Sequence, residues 1–453
     1  MNTRLVFELD VAPPNVSPAF AIDFAGRLVA AFRSTPLFRY PEWGRSVRPG
    51  LIGNFERCRS GREWTFYCRR GTAGKRAVQF TRGHLLDLLT PRRSSHERSP
   101  ASAFMAREVQ NIEARGISGV RLKLRRPIPF LHELLSSDIF SCIDVCTHPI
   151  LTGPYDLVTQ VPGRVLALTK NDVGRALYPE GPDDIFFVVT RSPEDGIRLF
   201  EQGLIDVTCN PNLPVSVLPN YYSTGQLRTG RLAMAGVLIA RDAANVTPLA
   251  QALRRESICK AAGPGVLPLH RIMDLFCKKQ ASTGQHLEAA IPSQSRLRTG
   301  KRHLTLAYAN FEPNGKVVSA VAEDVQEAFS MQVELHPLRY DDYLRELRTG
   351  TFDLIYTLIQ PRLPEPVTFL EQLLTWRRRD ARAVATDATE LMTSSYEQRV
   401  ARCCEIFADH ADSIPLVPVV RHVSKFLASA TAQNLYLSEE GLMRPSLHYE
   451  DDQ

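Results

Sequence analysis

The stretch that decides the fold is DIFFVVTRSPEDGIRLFEQGLIDVT, residues 184–208. Residues 184–190 form a short apolar run typical of a buried strand, and residues 205–208 form a second one. Between them, residues 195–203 have the apolar spacing of a helix. A strand, a helix and a strand in this order indicate parallel strands in one sheet, so the chain is predicted to be an α/β protein.

The same alternation continues on both sides of this stretch, and no internal repeat interrupts it. Upstream, the predicted elements are a strand (5–11), a helix (20–32), a strand (64–68), a helix (80–90), a polar loop (91–102), a strand (120–124) and a hairpin (156–169) turning at Pro162 and Gly163. Downstream, they are a strand (232–239), a helix (247–262), a linker (281–300), a second β-α-β unit (304–310, 318–329, 333–338), a helix (340–347), a strand (352–359), two helices (368–374, 396–410) and an extended strand pair (413–423).

Length and composition exclude several classes of protein. A chain of 453 residues predicts two or three domains. Hydrophobic residues at 44% and charged residues at 23% are near globular averages, so disorder is not expected. The net charge of +6 comes from basic residues spread along the chain, which argues against a nucleic-acid partner. No run approaches the ~20 apolar residues of a membrane span.

Cysteine usage and the first residues both indicate the cytoplasm. The nine cysteines are odd in number and scattered, which favours reduced thiols over a disulfide framework. In MNTRLVFELD, Glu8 and Asp10 interrupt the apolar run that a secretory signal needs. We therefore expect a cytoplasmic protein without such a signal.

Several short motifs, in this order, resemble family 5 of the bacterial extracellular solute-binding proteins, the dipeptide, oligopeptide and nickel-binding group. TGPYDLV is similar to the family's "GTGPYxL" element, and PEPVTFL is similar to "PDPxxFL". The segments that carry the resemblance are RPGLIGNFER (48–57), GREWTFYCRRG (61–71), TGPYDLV (152–158), IRLFEQGLIDV (197–207), LTLAYAN (304–310), TFDLIYTL (351–358), PEPVTFL (364–370) and DSIPLVPV (412–419).

The resemblance covers residues 5–427 and implies a periplasmic-binding-protein-like type II bilobed α/β fold with an extra domain. It also implies a ligand cleft between the lobes. The implied segments are the first part of lobe I (1–44), the extra domain (45–149), the second part of lobe I (150–231), lobe II (232–412), and a return to lobe I with a C-terminal tail (413–453).

One departure from the family bears on the ligand. In peptide-binding members, an aspartate four residues before the proline of "EP" or "DP" takes the ligand's α-amine, and a tryptophan often lies three residues earlier. Counting back from Pro366, these positions hold Arg362 and Ile359. A guanidinium would repel a desolvated ammonium but can grip a carboxylate or phosphate through two hydrogen bonds. The alternative is that Arg362 points to solvent in a shifted loop.

Aromatic and amide side chains near the expected cleft supply further ligand candidates. Pockets are typically apolar and aromatic with a few placed polar groups. Asn210 and Asn212 follow a strand, where open α/β sheets place ligands. The aromatic candidates are Tyr40, Trp43, Tyr222 and Tyr356. Ordinary core or rim packing is the alternative for each of them.

No metal or cofactor is expected. Cys142, Cys146 and His148 have ligand-type spacing, but no fourth ligand follows at a fixed distance. The chain also contains no GxSxG, GxxxxGK, GxGxxG or HExxH motif. On a helix, adjacent Cys403 and Cys404 face about 100° apart, which favours burial of one thiol over a vicinal redox pair.

Three functions remain open at this point. The first is a cytosolic binding protein that closes over a small-molecule or short peptide-like ligand, with a protein partner that reads the closed state. The second is a biosynthetic enzyme that uses the closed cleft as its active site, with His148 or Cys146 as candidate groups. The third is an ABC-transporter receptor whose signal is missing from this sequence.

Overall fold

The computed structural model describes residues 3–18, 20–21, 23–40, 46–69, 82–90, 100–143, 150–209, 213–277, 297, 303–361, 363–375, 394–410 and 414–446. The chain divides into two compact units, Met1–Leu213 with Phe426–Gln453 and Pro214–Lys425. Among the described helices, none has the length and apolar character needed to cross a membrane. The five-segment domain division is finer than these two units and stays a prediction.

The first unit contains two four-stranded sheets and the helices that cover them. Its strands before residue 210 are β1 (Arg4–Leu9), β2 (Phe38–Arg39), β3 (Arg48–Pro49), β4 (Ile52–Arg57), β5 (Glu63–Cys68), β6 (Val109–Arg115), β7 (Gly119–Leu124), β8 (Cys142–Ile143), β9 (Ile150–Leu151), β10 (Tyr155–Val161), β11 (Val165–Lys170) and β12 (Asp184–Val189). Its helices are α1 (Phe24–Arg33), α2 (Arg82–Leu89), α3 (Pro100–Glu108), α4 (Leu131–Leu134), α5 (Asp172–Leu177) and α6 (Pro193–Glu201).

The β-α-β prediction for residues 184–208 is confirmed. β12 pairs with β1 in parallel along its whole length. Val207 pairs in parallel with Phe7 on the other side of β1. α6 connects them and begins after Ser192, whose hydroxyl accepts a hydrogen bond from the Asp195 N–H. The two predicted strands therefore flank β1, and the carboxyl ends of all three lie at one edge of the sheet.

An aromatic cluster forms the core beneath this sheet. Phe7 of β1 stacks on Phe187 of β12 with ring centroids 5.1 Å apart. Phe32 of α1 meets Phe7 edge-on at 5.2 Å. All three rings are fully buried, so the helix predicted near residues 20–32 is fixed by packing as well as by its own periodicity.

The other sheet of the first unit has the strand order β4-β5-β7-β6. The predicted alternation in β5 is confirmed, because Trp64, Phe66 and Cys68 are buried while the residues between them are half-buried. α2 packs on this sheet through Leu85 and Leu89. The polar loop predicted for residues 91–102 is wrong at its end, since α3 already begins at Pro100.

The second unit contains one six-stranded sheet in the order β14-β18-β13-β17-β15-β16. Its strands are β13 (Leu227–Ala240), β14 (Val266–Pro268), β15 (His303–Ala309), β16 (Gln332–Leu338), β17 (Leu354–Ile359) and β18 (Leu416–Leu427). Its helices are α7 (Val246–Ala252), α8 (Arg255–Ala262), α9 (Asn314–Phe329), α10 (Tyr340–Thr349), α11 (Pro366–Thr375) and α12 (Tyr396–Asp409). β15 pairs in parallel with both β16 and β17, which confirms the second β-α-β prediction.

Two predictions for the second unit are wrong in detail. The single helix predicted for residues 247–262 is two helices, α7 and α8, with extended backbone at Leu253 between them. The buried Arg255 guanidinium caps the end of α7 by donating to the carbonyl oxygens of Ala250 and Leu253 at 3.0 and 3.3 Å. The predicted strand pair is the single strand β18, which begins directly after Pro415.

After β18 the chain returns to the first unit as a hairpin, β19 (Leu435–Leu437) and β20 (Met443–Pro445). Arg444 anchors it, donating to the two carboxylate oxygens of Asp138 at 2.7 and 2.5 Å. Glu440 also accepts from this guanidinium. These charges are mostly buried, so the hairpin is tied to the segment before β8 by a strong paired contact.

Candidate functional site

Polar side chains gather where the parallel strands of the first unit end. We call this group, Glu8, Asp10, Thr190 and Cys209, the first carboxyl edge. Glu8 is 2% exposed. The Thr190 hydroxyl donates to its Oε1 at 2.8 Å, and the Cys209 N–H donates to its Oε2 at 2.8 Å. One buried carboxylate thus ties together the ends of β1, of β12 and of the strand segment at Val207.

Helix α6 packs directly against this carboxylate. A Cβ atom at Gly196 would lie 2.0 Å from Glu8 Oε1, so the glycine permits the close approach. Helix and strand therefore hold the Glu8 carboxylate in one place.

Asp10 lies two residues beyond Glu8 at the end of β1. Its Oδ1 is buried and has no hydrogen-bond partner among the described residues. Burial raises the pKa of the Asp10 carboxyl above its ordinary value, and the negative charge of Asp23 adds to this; hydrogen bonds from the backbone and from Cys209 act in the opposite direction. Perturbed acids of this kind concentrate at functional sites.

We expect Asp10→Asn to change how stability depends on pH. Because the pKa of Asp10 is raised in the folded state, ionisation costs stability as pH rises from about 4, its unfolded value, through the folded pKa. The variant cannot ionise there, so its melting temperature relative to wild type should increase as pH rises from about 4 through the folded-state pKa of Asp10. Glu194→Gln, an exposed position of the same unit, is the control. An equal change in both variants would contradict the assignment.

A different surface follows the parallel strands of the second unit. We call the residues just beyond β15, β16 and β17 (Phe311, Tyr340 and Gln360) the second carboxyl edge. Phe311 is 39% exposed and Tyr340 is 60% exposed. Tyr340 stacks on Tyr343 at 6.1 Å, and the Tyr343 hydroxyl donates to Thr357. This edge presents anchored aromatic rings, which are common in ligand sites.

Comparison with known proteins settles the fold. No protein-family model matches the chain, and no curated protein sequence does. Solved structures match over nearly the whole length. The Escherichia coli murein tripeptide binding protein MppA is 17% identical, with a TM-score of 0.76 and 99% of each chain covered.

The chain has the fold of the family 5 solute-binding proteins.

Two further structures show the same solute-binding fold. The Haemophilus influenzae OppA complex with the peptide RPPGFSPFR is 14% identical, with a TM-score of 0.70 and coverage of 99% of this chain and 98% of that one. AgaA from A. tumefaciens R10, in complex with agropinic acid, is 13% identical, with a TM-score of 0.70 and coverage of 99% and 100%. The bilobed α/β fold predicted from the sequence is confirmed.

Within this solute-binding fold, Ile359 and Tyr356 lie on the same strand of the second unit. Ile359 is the last residue of β17, 8% exposed, next to the second carboxyl edge. Tyr356 is fully buried, and its hydroxyl lies 3.4 Å from His422 Nε2. Burial lowers the pKa of His422 to about 3, helped by the charge of Lys425, so the imidazole is neutral. Tyr356 thus belongs to the core, and its contact with ligand stays a prediction.

The remaining candidate ligand residues are not among those of the two carboxyl edges, or they lie outside the described residues. Tyr40 is half-buried directly after β2 in the first unit. Tyr222 is 60% exposed in the second unit. Arg362, Trp43, Asn210 and Asn212 lie outside the described residues, as do Cys146 and His148.

Sequence reasoning did not select Glu8 or Asp10 as site residues. The available signal was their spacing, since two acids alternate with the apolar residues of a strand and so share one face. Their partners Thr190 and Cys209 are 182 and 201 residues away from Glu8, which no local pattern reveals.

Within the described ranges, no group of three or more His, Cys, Asp or Glu side chains could hold a metal ion. Cys403 is buried and Cys404 is half-buried, which confirms that this pair faces two directions. Burial raises the pKa of the Cys68 and Cys404 thiols to about 11 each. These thiols are therefore protonated and poorly reactive at neutral pH.

Proposed function

We propose that this chain is a solute-binding protein that encloses a small organic or peptide-like ligand in an interlobe cleft. The observation that carries the proposal is the match of fold over nearly the full length of solute-binding structures. MppA is a murein tripeptide binding protein, and the OppA and AgaA structures are complexes with the peptide RPPGFSPFR and with agropinic acid. All three of these ligands are small, polar organic solutes.

The two carboxyl edges support this proposal independently of the comparisons. In open α/β sheets, ligands bind outside the carboxyl ends of the strands. Here one such edge holds the buried acids Glu8 and Asp10, and the other holds the exposed rings of Phe311 and Tyr340. Placed polar groups and aromatic rings are each common in ligand pockets.

We further propose that a free peptide amine is not the main anchor of the ligand. The support is the sequence position of Arg362, where peptide-binding relatives of the resembled family hold an aspartate. A cation there would attract a ligand carboxylate or phosphate and repel an ammonium.

A cytosolic location is part of the proposal. Its support is the chemistry of the described thiols, none of which is in a disulfide: Cys58, Cys68, Cys209, Cys259, Cys277, Cys403 and Cys404. Free and largely buried cysteines are usual where thiols are kept reduced.

The experiment is native mass spectrometry of the chain purified from host cytosol and then incubated with host extract. We expect an intact anionic small molecule to be retained. Arg362→Ala should weaken its binding by at least about tenfold, because it leaves a ligand charge unpaired. Arg378→Ala is the matched control and should bind like wild type. Retention that is equal in both variants would remove Arg362 as the anchor, and no retained molecule would contradict solute binding.

Asp10 favours one alternative, an enzyme built on this fold. Burial that raises the pKa of a carboxyl increases the protonated fraction at a given pH, and the protonated form can donate to a substrate. The same incubation separates the two functions. Turnover of an extract metabolite that is lost in Asp10→Asn, with nothing retained intact, would make the chain an enzyme.

A further inference from the structure

Two buried carboxylate oxygens of the first unit have no hydrogen-bond donor. They belong to Asp10, just beyond β1, and to Asp23, just before α1. Asp10 Oδ1 and Asp23 Oδ2 are enclosed and receive no hydrogen bond from any described residue. Buried acceptors without a donor are rare in native proteins and require an explanation. Since the two residues begin and end one loop of the chain, a single donor between them would satisfy both.

Other hydrogen bonds already hold each carboxylate in place. Asp23 is the N-cap of α1, and its Oδ1 accepts from the Gly26 N–H at 2.7 Å. Asp10 accepts from nearby backbone N–H groups and from the Cys209 thiol. A Cβ atom at Gly26 would lie 3.0 Å from Asp23 Oδ2 and 2.3 Å from Asn15 O, so the neighbour of Oδ2 there is another acceptor. These contacts fix both carboxylates and leave the two open oxygens without a donor among the described residues.

The two carboxylates also interact electrostatically. Burial is the largest cause of the raised pKa of Asp10, and the negative charge of Asp23 raises it further. The other titratable groups that the described residues place here are the Cys209 thiol and Glu8, whose carboxylate accepts from Thr190 and from the Cys209 N–H. Two carboxyl groups in one buried place cannot both ionise at low cost, so they titrate as a pair around one proton.

The Cys209 contact connects this pair of acids to the way out of the first unit. Cys209 lies four residues before the first stretch of that unit ends, and Leu427 is the second residue after the unit resumes. The Thr208 N–H donates to Leu427 O at 3.0 Å, and the Leu427 N–H donates to Thr208 Oγ1 at 2.9 Å. The outgoing and returning segments are thus joined inside the first unit, and Asp10 holds the outgoing one.

We propose that Asp10 and Asp23 share one proton and act as a pH-sensitive latch on the chain at Cys209. In the closed state the proton lies on Asp10 Oδ1 and is donated to Asp23 Oδ2, so both enclosed oxygens are used. When pH rises, the proton leaves to water and two negative charges face each other inside the fold, which favours local opening. No ligand takes part, so the latch is independent of the proposed solute binding.

The test is a double-mutant cycle of Asp10→Asn and Asp23→Asn, with Glu194→Gln as the exposed control. Asparagine is as good an N-cap as aspartate, so α1 keeps its start. In each single variant the new amide donates to the remaining carboxylate in place of the proton. Relative to wild type, both melting temperatures should rise by a similar few degrees as pH increases from 4 through the titration of the pair.

The double variant decides whether the proton is shared. Its melting temperature should rise relative to wild type by no more than that of either single variant, because each substitution alone already removes the coupled titration. A rise equal to the sum of the two would show independent acids and overturn the shared proton. A pH-independent difference in Asp23→Asn, like that expected for Glu194→Gln, would overturn it too.

Hydrogen exchange measured by mass spectrometry tests the link to Cys209. In wild type, amides of residues 205–209 should exchange faster with rising pH than their intrinsic chemistry predicts, by up to about tenfold per pH unit, the limit for release of one proton. In Asp10→Asn they should follow the intrinsic rates alone, as residues 165–170 of β11 should in both proteins. The same pH dependence at 205–209 in wild type and variant would overturn the latch.

Discussion

Arg399→Met is expected to lower the free energy of unfolding by about 3–5 kcal/mol, because it leaves the buried Glu365 carboxylate without its cationic partner. Arg399 of α12 donates to Glu365 from Nε at 3.0 Å and from Nη2 at 2.8 Å. The side chains are 6% and 0% exposed. Glu365 immediately precedes α11, so the pair fixes the start of that helix against α12. Urea unfolding followed by circular dichroism measures the loss.

The same helix offers a matched control. Arg402 pairs with Glu405 at 2.8 Å, but these side chains are 41% and 61% exposed. Arg402→Met should cost no more than about 0.5 kcal/mol, as solvent weakens such pairs. Combining Arg399→Met with Glu365→Met should recover much of the stability, since no charge is then left unpaired. If the two single arginine variants lose equal free energy of unfolding, burial of the Arg399–Glu365 pair does not add to its contribution to stability.

The sequence predicted those parts of the fold that depend on local periodicity. Both β-α-β units were placed correctly, as was the hairpin, in which Gly163 adopts a φ of +69° at the turn. In each case the apolar spacing and the turn residues act within a few positions of one another.

The features that sequence reasoning missed depend on distant partners. The break between α7 and α8 is stabilised by Arg255, which also donates to Leu269 O and Pro418 O, each at 3.0 Å. Pro418 is 163 residues from Arg255, so the helical pattern of residues 247–262 carried no sign of it. The first carboxyl edge has the same origin, since Glu8 is held by residues almost half the chain away.

The candidate site was predicted less completely than the fold. Ile359 was placed correctly at the end of a strand, but Tyr356 points into the core toward His422. A strand turns alternate residues to opposite faces, and both faces of a central strand can be buried. Sequence alone therefore located the strand but not the surroundings of Tyr356 within it.

Gly153→Ala is the second change with a large expected effect, about 3 kcal/mol or more, at the upper end for overpacking. Gly153 belongs to the TGPYDLV segment that carries the family resemblance. A Cβ atom there would lie 2.1 Å from both the carbonyl carbon of Arg33 and the amide nitrogen of Ser34. Both are backbone atoms at the end of α1, so relief requires moving the helix and not only a side chain. The Gly153 N–H also donates to Arg33 O at 3.2 Å, and that bond would be strained too.

Gly163→Ala separates this steric cost from the loss of backbone freedom. Gly163 has positive φ, but a Cβ atom there meets nothing within 4 Å. Its replacement should cost about 1 kcal/mol, the penalty of placing alanine in the left-handed region. Urea unfolding should therefore rank Gly153→Ala well below Gly163→Ala in stability. If the two losses are equal, the close approach to α1 is not what requires glycine in this motif. If they differ as expected, the glycine of TGPYDLV is explained by packing against α1, with no role in ligand binding needed.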